Sequence, residues 1–326
     1  MNLDFLEIKN SKNLLAFSAG IDSTALFFLL LNSNIPFDIA IVDYNIREQS
    51  KEEVAYAQEL AKKFNKKIYI KSISLKNLSN FEKQARDVRY TFFEDIIRDN
   101  SYEFLITAHQ LNDKFEWFLM QLSRGAGLIE LLGMSKFEDK EFYKIYRPLL
   151  NISKDELISY LHSENIKYFV DESNIDEKYR RNYFRNSFSN SFLKEFKDGV
   201  KNSFEFLHND LKSLNIDFNP IKKIYELEIF KNQNDNNLNL RVIDKSLKKR
   251  GVLISSSQRD EIIKQKELTV AHKINIAITE NYIFIAPKIK TDMSKDFKER
   301  CRVKKLPKNI REYIFIKNID LNDLIF

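Results

Sequence analysis

Short apolar runs alternate with amphipathic stretches along the first third of the chain. The runs are rich in Ile, Leu, Val and aromatic residues, as buried strands are, and most stretches between them carry apolar residues at spacings of three and four, as helices do. The predicted strands are Leu14–Phe17, Phe37–Val42, Lys67–Ile73 and Phe104–Ala108, and the predicted helices are Asp22–Leu31, Ser50–Phe64 and Phe81–Arg98. Repeated strand and helix build a parallel sheet with helices on both faces, so we predict an α/β fold.

The rest of the chain mixes helical patterns with alternating ones. Asn232–Asn239 is rich in asparagine and is predicted to be a loop. Lys273–Ile278 and Tyr282–Ala286 alternate between apolar and polar residues, which predicts a hairpin. Further helices are predicted over Ser153–Leu161, over most of 182–214, over Leu238–Arg250 with its end at Gly251, and over Gln258–Lys266 after the capping serines Ser255–Ser257.

Charge is spread unevenly over the 326 residues, which are 43% hydrophobic and numerous enough to bury a substantial core. Residues 1–216 carry 30 Lys and Arg against 32 Asp and Glu, whereas residues 217–326 carry 23 against 15. We therefore predict two domains, 1–216 and a smaller, basic α+β domain over 217–326. A basic surface attracts a polyanion such as nucleic acid, and a solvated lysine-rich face is the alternative.

The composition is that expected of a cytoplasmic protein without a membrane segment. No apolar run approaches the roughly 18–20 residues that a membrane span needs, and the first residues lack a basic region followed by an apolar one. The single cysteine, Cys301, permits neither an internal disulfide nor a cysteine-ligated metal site, which agrees with a reducing compartment. We assign Cys301, Trp117 and most of the phenylalanines to structural roles.

The segment Ser18-Ala19-Gly20-Ile21-Asp22-Ser23 lies where the first predicted strand passes into the first predicted helix. Small residues let a ligand approach the backbone, and free N–H groups at a helix N-terminus bind anions, so this loop suits a phosphate or pyrophosphate. No Gly-Lys-Ser/Thr follows, which excludes the Walker pattern. The spacing resembles the PP-loop, Ser-Gly-Gly-x-Asp-Ser, of enzymes that split ATP into AMP and pyrophosphate, with Ala19 in place of the first glycine. For these six residues alone, a plain structural turn is the alternative.

A second polar group follows the fourth predicted strand. His109, Asp113 and Glu116 have the spacing i, i+4, i+7, which puts an imidazole and two carboxylates on one helical face. Two carboxylates on one face suit a cation, although an exposed polar face of a surface helix would show the same spacing. Ser18, Asp43 and His109 each follow the end of a predicted strand, and ligands of parallel sheets bind beyond those ends, so we expect one shared crevice.

Further motifs resemble those of one family. Besides the loop and the His109–Glu116 segment, the matching stretches are Val42–Arg47, Phe81–Tyr90, Arg124–Gly127 with Leu132–Met134, Arg147–Leu150, and Asp171–Asn174 continuing through Asp176, Tyr179, Arg181 and Asn182 to Arg185. Their order and content are similar to those of the tRNA(Ile)-lysidine synthases over about residues 14 to 186, and the similarity is looser beyond Pro220. An ordered set of motifs is more specific than any single one.

Three segments depart from the family pattern. The family has His-His-x-Asp-Asp where this chain has His109-Gln110-Leu111-Asn112-Asp113, so one histidine and one carboxylate are missing. Gln110 and Asn112 can hydrogen-bond but cannot neutralise a cation, which leaves the remaining carboxylate with more of the charge. The other departures are Ala19, which lacks the freedom of glycine at positive φ, and Tyr44-Asn45 in place of His-Gly.

The resemblance implies a reaction in two steps on the wobble cytidine of tRNA(Ile) with the CAU anticodon. ATP adenylates the C2 carbonyl with loss of pyrophosphate, and free L-lysine then displaces AMP. The resemblance therefore implies ATP, Mg²⁺, lysine and tRNA as ligands, with ATP bound by the 1–216 domain and tRNA by the basic 217–326 domain. A homodimer is left open as the assembly state.

The resemblance also implies roles for individual residues. Those expected to bind ATP are Ser18, Ala19, Gly20, Ile21, Asp22, Ser23, Asp43 and Arg86, with Asp22 also holding Mg²⁺. Those expected to seat the lysine are His109, Asp113 and Glu116. Asp22, Asp113 and Glu116 form the expected catalytic set, and a general-base role for Asp113 or Glu116 is a hypothesis. Those expected to contact tRNA are Arg89, Arg181 and Arg185, for which surface ion pairs are the alternative.

Three other functions fit parts of the sequence. A tRNA thiolase also uses a PP-loop, but such enzymes generally need paired or cluster-binding cysteines, and this chain has Cys301 alone. A glutamine-dependent synthetase would need an ammonia-supplying domain or partner, and no catalytic-cysteine segment is present. A non-catalytic RNA-binding protein on a decayed nucleotide-binding scaffold stays open because of Ala19 and Asn112.

Overall fold

The computed structural model describes residues 3, 5–45, 49–73, 81–170 and 180–324, without the side chains of residues 81 and 82. The chain divides into two compact units, Met1–Leu211 and Lys212–Phe326. Each unit has its own sheet and its own hydrophobic cores. No helix among the described residues combines the length and the apolar character that crossing a membrane requires.

The first unit is built on a six-stranded sheet. Its strands are β1 (Asn13–Ala16), β2 (Asp38–Asp43), β3 (Ile68–Ser72), β4 (Phe104–Ile106), β5 (Phe137–Asp139) and β6 (Lys144–Tyr146). They lie in the order β3-β2-β1-β4-β6-β5, with β5 antiparallel to β6 and the other neighbours parallel. The four predicted strands are confirmed with small shifts at their ends, whereas β5 and β6 are not predicted by the sequence pattern.

Helices surround this sheet. They are α1 (Ile21–Asn32), α2 (Gln49–Lys63), α3 (Phe81–Asn100), α4 (Leu111–Leu122), α5 (Leu128–Leu131), α6 (Lys154–Ser163), α7 (Arg180–Phe184) and α8 (Asn190–Ser213), with a π-helical turn at Arg185–Ser189. The predictions for α1, α2, α3, α6 and the helical stretch from residue 182 onward are confirmed.

The alternation of side chains along β1 explains why helices cover both faces. Leu15 belongs to a core with Leu26 of α1 and Leu60 of α2, whereas Leu14 belongs to a second core with Phe93 of α3. A parallel sheet buried on both faces needs such cover, so the predicted fold with helices on both faces is confirmed. Because β1, β2 and β4 run in the same direction, the loops that follow them share one edge of the sheet.

The second unit holds a five-stranded antiparallel sheet. Its strands, β7 (Lys222–Ile224), β8 (Leu227–Lys231), β9 (Glu267–Val270), β10 (Ile274–Ile278) and β11 (Tyr282–Pro287), lie in the order β7-β8-β11-β10-β9. Its helices are α9 (Asn236–Lys249), α10 (Ser256–Gln265), α11 (Lys295–Val303) and α12 (Lys308–Ile316). α9 and α10 contribute to one core, and α11 and α12 contribute to another, which contains Cys301. The predicted β10–β11 hairpin and the α+β character are confirmed.

Capping side chains set the helix boundaries in this unit. The Asp235 carboxylate accepts a hydrogen bond from the Leu238 N–H at 2.9 Å, and α9 begins directly after it. The prediction that Asn232–Asn239 is entirely loop is therefore wrong for its second half. Gly251, with φ of +72°, follows the end of α9, and Ser255 caps α10 as predicted.

Candidate active site

The loop between β1 and α1 is held by its own hydroxyl groups. The Ser18 N–H donates to Ser23 Oγ at 3.1 Å, the two hydroxyl oxygens lie 3.1 Å apart, and Ser23 Oγ donates to the Gly20 carbonyl at 3.3 Å. Ala19 has φ of +57°, and its carbonyl accepts a hydrogen bond from the Phe169 N–H at 3.0 Å. Gly20 is the N-cap of α1, so the first N–H groups of the helix lie beside this loop.

A cavity of about 390 Å³ lies at the carboxyl ends of β1, β2 and β4. Among the residues that line it are Ser18, Gly20, Ile21, Asp22, Ser23, Tyr44, Arg86, Arg89, His109, Asp113, Lys154, Arg181 and Arg185. The loop, the segment after β2 and the start of α4 therefore converge on one crevice, as expected from the strand ends. Three predicted site residues do not line it: Ala19, Asp43 and Glu116.

Asp43 has a local partner. Its Oδ1 accepts a hydrogen bond from the Asn45 N–H at 2.8 Å, and its carbonyl accepts one from the Ile73 N–H at 2.8 Å. The side chain is buried. The carboxylate therefore fixes the turn after β2, and its contact with ATP stays a prediction.

The N-terminus of α4 explains what Gln110 and Asn112 do. Gln110 Oε1 accepts from the Asn112 N–H at 2.5 Å, and the Gln110 N–H donates to Asp113 Oδ2 at 3.0 Å, which completes a capping box. Asn112 Oδ1 accepts from the Lys154 N–H at 3.1 Å and so ties α4 to the start of α6. The two amides that replace a histidine and a carboxylate of the family pattern thus hold the helix in place.

Four charged side chains form a compact group that we call the charge cluster: Asp113, Glu116, Arg181 and Arg185. Arg181 Nη2 lies 2.6 Å from Asp113 Oδ1, and Arg181 Nε lies 2.9 Å from Glu116 Oε2. Arg185 Nε lies 2.8 Å from Glu116 Oε1, and Glu116 is only 1% exposed. Arg181 and Arg185 are predicted from the sequence to contact tRNA, with ion pairs as the alternative. The structure shows ion pairs with Asp113 and Glu116, and contact with tRNA stays a prediction.

His109 lies uncharged at the cavity wall. Its Nδ1 is 2.9 Å from Thr107 Oγ1. Burial lowers the pKa of His109 to about 4, against the opposing effect of Asp113. Burial alone would raise the pKa of Asp113, but Arg181 and the other partners of that carboxylate hold it below the usual value. At neutral pH the site therefore presents a neutral imidazole beside an ionised carboxylate.

Asp22 is the carboxylate of the loop side. Its Oδ1 is buried and has no hydrogen-bond partner among the described residues. Burial raises the pKa of Asp22 to about 7, and the nearby charge of Asp113 adds to the effect. The negative charges of Asp22 and Asp113 therefore repel each other within the cavity.

Two further cavity residues, Tyr44 and Lys154, are not among the predicted site residues. The Tyr44 hydroxyl donates to the Ala85 carbonyl at 3.0 Å and also bonds to Arg89, while Arg86 lies over the Tyr90 ring with its guanidinium carbon 4.9 Å from the centroid. Lys154 is the first residue of α6, where a lysine gives no sequence signal of its own.

Two predicted motifs lie partly or wholly outside the described residues. Ile46 and Arg47 of the second motif and the stretch 171–179, with Asp171–Asn174, Asp176 and Tyr179, are in this group. The described parts that flank them, Tyr44 on one side and Arg181 on the other, both reach the cavity.

Known proteins resemble this chain over most of its length. Residues 2–192 match the PP-loop domain family. A tRNA(Ile)-lysidine synthase from Campylobacter jejuni strain RM1221 is 48% identical over 98% of this chain and 97% of its own. The tRNA(Ile)-lysidine synthase of Wolinella succinogenes is 44% identical over 96% of this chain and 95% of its own.

Among solved structures, a U34-tRNA thiolase from Methanococcus maripaludis, determined with its iron–sulfur cluster, has a TM-score of 0.52. It is 17% identical and covers 62% of this chain and 74% of its own. At this identity the likeness concerns the fold alone.

Proposed function

This chain belongs to the tRNA(Ile)-lysidine synthase family, and on that premise we propose that it joins free L-lysine to C2 of the wobble cytidine in the CAU anticodon of tRNA(Ile). It is an ATP-dependent ligase that forms a carbon–nitrogen bond. In the first step the C2 carbonyl oxygen attacks the α-phosphate of ATP and pyrophosphate leaves. In the second step the side-chain amine of lysine attacks C2, and AMP leaves with that oxygen. We expect the reaction to take place in the cytoplasm.

The observation that carries the proposal is that the loop with Asp22 and the start of α4 with Asp113 line one cavity. Ser18 and Asp22 lie on the loop side, and Asp113 and His109 lie at the start of α4. ATP and lysine could therefore reach the same cytidine without a change of site. Placing the reactants side by side lowers the barrier by removing the entropy cost of bringing them together.

The loop supplies donors for pyrophosphate. The Ser18 and Ser23 hydroxyls and the N–H groups of the first turn of α1 are neutral donors, and the helix N-terminus adds a partial positive charge. Arg86 and Arg89, both on α3 and both lining the cavity, are proposed to add full positive charges toward the phosphates. Donors fixed in this way stabilise charge that develops on the departing group.

The residues present fit a Mg²⁺ ion at Asp22. The carboxylate has a buried oxygen without a protein partner among the described residues and a pKa that burial raises to about 7, so a cation would stabilise its ionised form. No group of three or more metal-ligating side chains occurs within the described ranges, so phosphate oxygens and water would complete the shell. When bound, Mg²⁺ would neutralise charge on the pyrophosphate.

We propose that Asp113, Glu116 and His109 seat the lysine. The neutral His109 does not repel an ammonium group, and a carboxylate nearby can accept the proton that the amine must lose before it attacks. Both carboxylates are paired with arginines, so the lysine must displace one guanidinium. The Arg181 side chain is 38% exposed and that of Arg185 is 17% exposed, so Arg181 is the one we expect to move.

The basic second unit is proposed to bind the body of the tRNA. Residues 217–326 carry 23 Lys and Arg against 15 Asp and Glu, and a positive surface attracts a phosphate backbone without sequence contacts.

Incubation with radiolabelled lysine, ATP and a CAU-anticodon transcript tests the proposed function. We expect label in the RNA and release of pyrophosphate, both dependent on ATP. Cys301→Ala should incorporate label as well as the unmodified protein, because Cys301 is fully buried in a core of the second unit. Absence of any lysine-dependent turnover would favour the non-catalytic RNA-binding alternative, and a folded but inactive Cys301→Ala protein would restore the thiolase alternative.

A further inference from the structure

An aromatic row follows the charge cluster along the chain. Phenylalanines occur at intervals of four, at 184, 188, 192 and 196, from the end of α7 through the π-helical turn into α8. Phe188 and Phe192 are each 45% exposed, and Phe196 is 52% exposed. The sequence pattern assigned most phenylalanines to the core, so these positions are exceptions. Rings exposed in a group, unlike single ones, mark a surface that binds something.

The rings beside α4 are held in fixed orientations. The Phe192 ring stacks on Phe115 of α4 with centroids 5.3 Å apart and planes at 29°, and it contacts Phe196 at 5.0 Å. Together with Phe118 and Phe204 they line an apolar groove of about 410 Å³, which we call the aromatic groove. Phe192 and Phe196 are both partly exposed and in contact with neighbouring rings.

The charge around the aromatic groove favours a polyanion. Residues 180–201 contain six Lys and Arg and two Asp and Glu. Four of the six cations pair with carboxylates outside this stretch, Arg181 and Arg185 within the charge cluster and Lys197 and Lys201 with Glu156, and the exposed ones are Arg180 and Lys194. Aromatic rings interleaved with basic side chains are the combination that binds single-stranded nucleic acid, since bases stack on the rings and phosphates contact the cations. A second copy of the chain is a poorer occupant, because a symmetric interface would set two positive surfaces against each other.

The aromatic groove and the active-site cavity are lined by neighbouring residues of the same two helical stretches. Arg181 and Arg185, which line the cavity, precede Phe188 and Phe192 on the same helical stretch. On α4, Phe115 stands between Asp113 and Glu116 in sequence and turns its ring to the groove. We therefore expect an RNA strand that delivers one base to the cavity to bring its neighbouring nucleotides close to these rings.

We propose that unpaired nucleotides of the anticodon loop next to the wobble cytidine stack on Phe192 and Phe196. The inference rests on the proposed function, which identifies the RNA as tRNA(Ile) with the CAU anticodon. A base enters an enzyme cavity only after leaving its stack, and this unstacking costs free energy. Aromatic rings offer the neighbouring bases a replacement surface, as is common where proteins bind RNA loops.

The test compares two double variants for binding of a CAU-anticodon stem-loop RNA, without ATP or lysine, over a range of salt concentrations. Phe192→Leu with Phe196→Leu keeps apolar bulk but removes the rings, and we expect about 10-fold weaker binding, because leucine keeps part of the apolar contact with each base and loses the stacking. The dependence of affinity on salt should not change, since no phosphate contact is lost. Phe192→Trp with Phe196→Trp should bind as the wild type does.

Phe206→Leu is the matched control, because Phe206 is 68% exposed on α8 but does not line the aromatic groove. It should bind RNA like the wild type, and thermal unfolding checks that each variant is folded. If the double leucine variant is unstable, Phe196→Leu alone changes a half-exposed ring and serves in its place, with about threefold weaker binding expected.

Wild-type RNA affinity in the leucine variants would overturn the inference, as would a shift in their oligomeric state with RNA affinity unchanged. The second result would identify a self-association surface instead. If the wild type binds the RNA but does not incorporate lysine, and the leucine variants lose RNA binding, the proposed function is wrong. The role of the aromatic groove in RNA binding is then still supported.

Discussion

Ala19 is the residue at which the loop departs from the glycine of the PP-loop pattern, and its backbone shows why glycine is usual there. With φ of +57° it lies in the left-handed region, and its side chain is fully buried. An L-residue in this region costs about 1–2 kcal/mol, which alanine tolerates because its methyl group is small. The conformation, and not the identity of the residue, is what the loop requires.

The effect of a substitution at Ala19 should therefore depend on how well the new side chain allows a positive φ. Ala19→Gly relieves the backbone strain but loses a buried methyl group and loosens the unfolded chain, so we expect stability within about 1 kcal/mol of the wild type and undiminished pyrophosphate release. Ala19→Val, which is β-branched, should lose the loop geometry and the activity. Thermal unfolding and a pyrophosphate assay measure both, and an active valine variant would contradict the role given to this loop.

Glu116 is almost completely buried between two guanidinium groups. Glu116→Gln removes the negative charge and leaves Arg181 and Arg185 with one carboxylate between them. Breaking a buried pair in this way costs about 3–5 kcal/mol, so we expect a large loss in the free energy of unfolding measured with urea.

Glu299→Gln is the control for that substitution. Glu299 pairs with Arg302 on the surface, with side chains 58% and 72% exposed. Surface pairs contribute little, so this variant should unfold like the wild type. Equal stability of the Glu116 and Glu299 variants would show that the charge cluster does not hold α4 and α7 together.

At the scale of helices and strands, signals within a short stretch of sequence predicted the elements whose formation depends on that stretch alone. The apolar runs predicted β1 to β4, and caps such as Ser255 predicted where a helix begins. β5 and β6 have three residues each, and they exist because Phe104 of β4 pairs with Lys144 and Tyr146 pairs with Phe137. Pairing between distant segments leaves no periodic trace in so short a run.

Besides the site residues Asp113 and Glu116, α4 carries a buried lysine. Lys114 is 7% exposed, and its ammonium nitrogen lies 4.3 Å from the centroid of the Phe204 ring. Burial lowers the pKa of Lys114 to about 8. Below that pH the folded protein carries a charge whose hydration is incomplete, which costs stability.

Lys114→Met should therefore stabilise the protein at pH 7. We expect a gain of about 1–3 kcal/mol, since one pKa unit corresponds to about 1.4 kcal/mol and the ring offsets part of the cost. Between about pH 8 and 10.5 the unfolded wild type binds more protons than the folded one, so its stability rises with pH and the advantage of the variant shrinks. Urea unfolding at pH 7 and pH 10 measures this, and a destabilised variant would contradict it.

At the scale of the whole molecule, topology explains which parts of the site the sequence could predict. Ser18 and His109 follow parallel strands that are neighbours in the sheet, so their meeting is a consequence of strand direction. The pairing of Arg181 and Arg185 with Glu116 joins residues 65 and 69 positions apart. No local pattern sets such a contact, and for the same reason the exposure of Phe192 and Phe196 is not readable from the sequence.

The central claim is that ATP and lysine react in one cavity, with Asp22 serving the first step and Asp113 the second. The most direct measurement follows the steps separately, as tRNA-dependent exchange of labelled pyrophosphate into ATP and as transfer of labelled lysine to tRNA. Asp22→Asn should lower both by about 100-fold or more, whereas Asp113→Asn should keep the exchange and lose the transfer. Wild-type lysine transfer by Asp22→Asn, or loss of exchange in a folded Asp113→Asn protein, would contradict this division of the cavity.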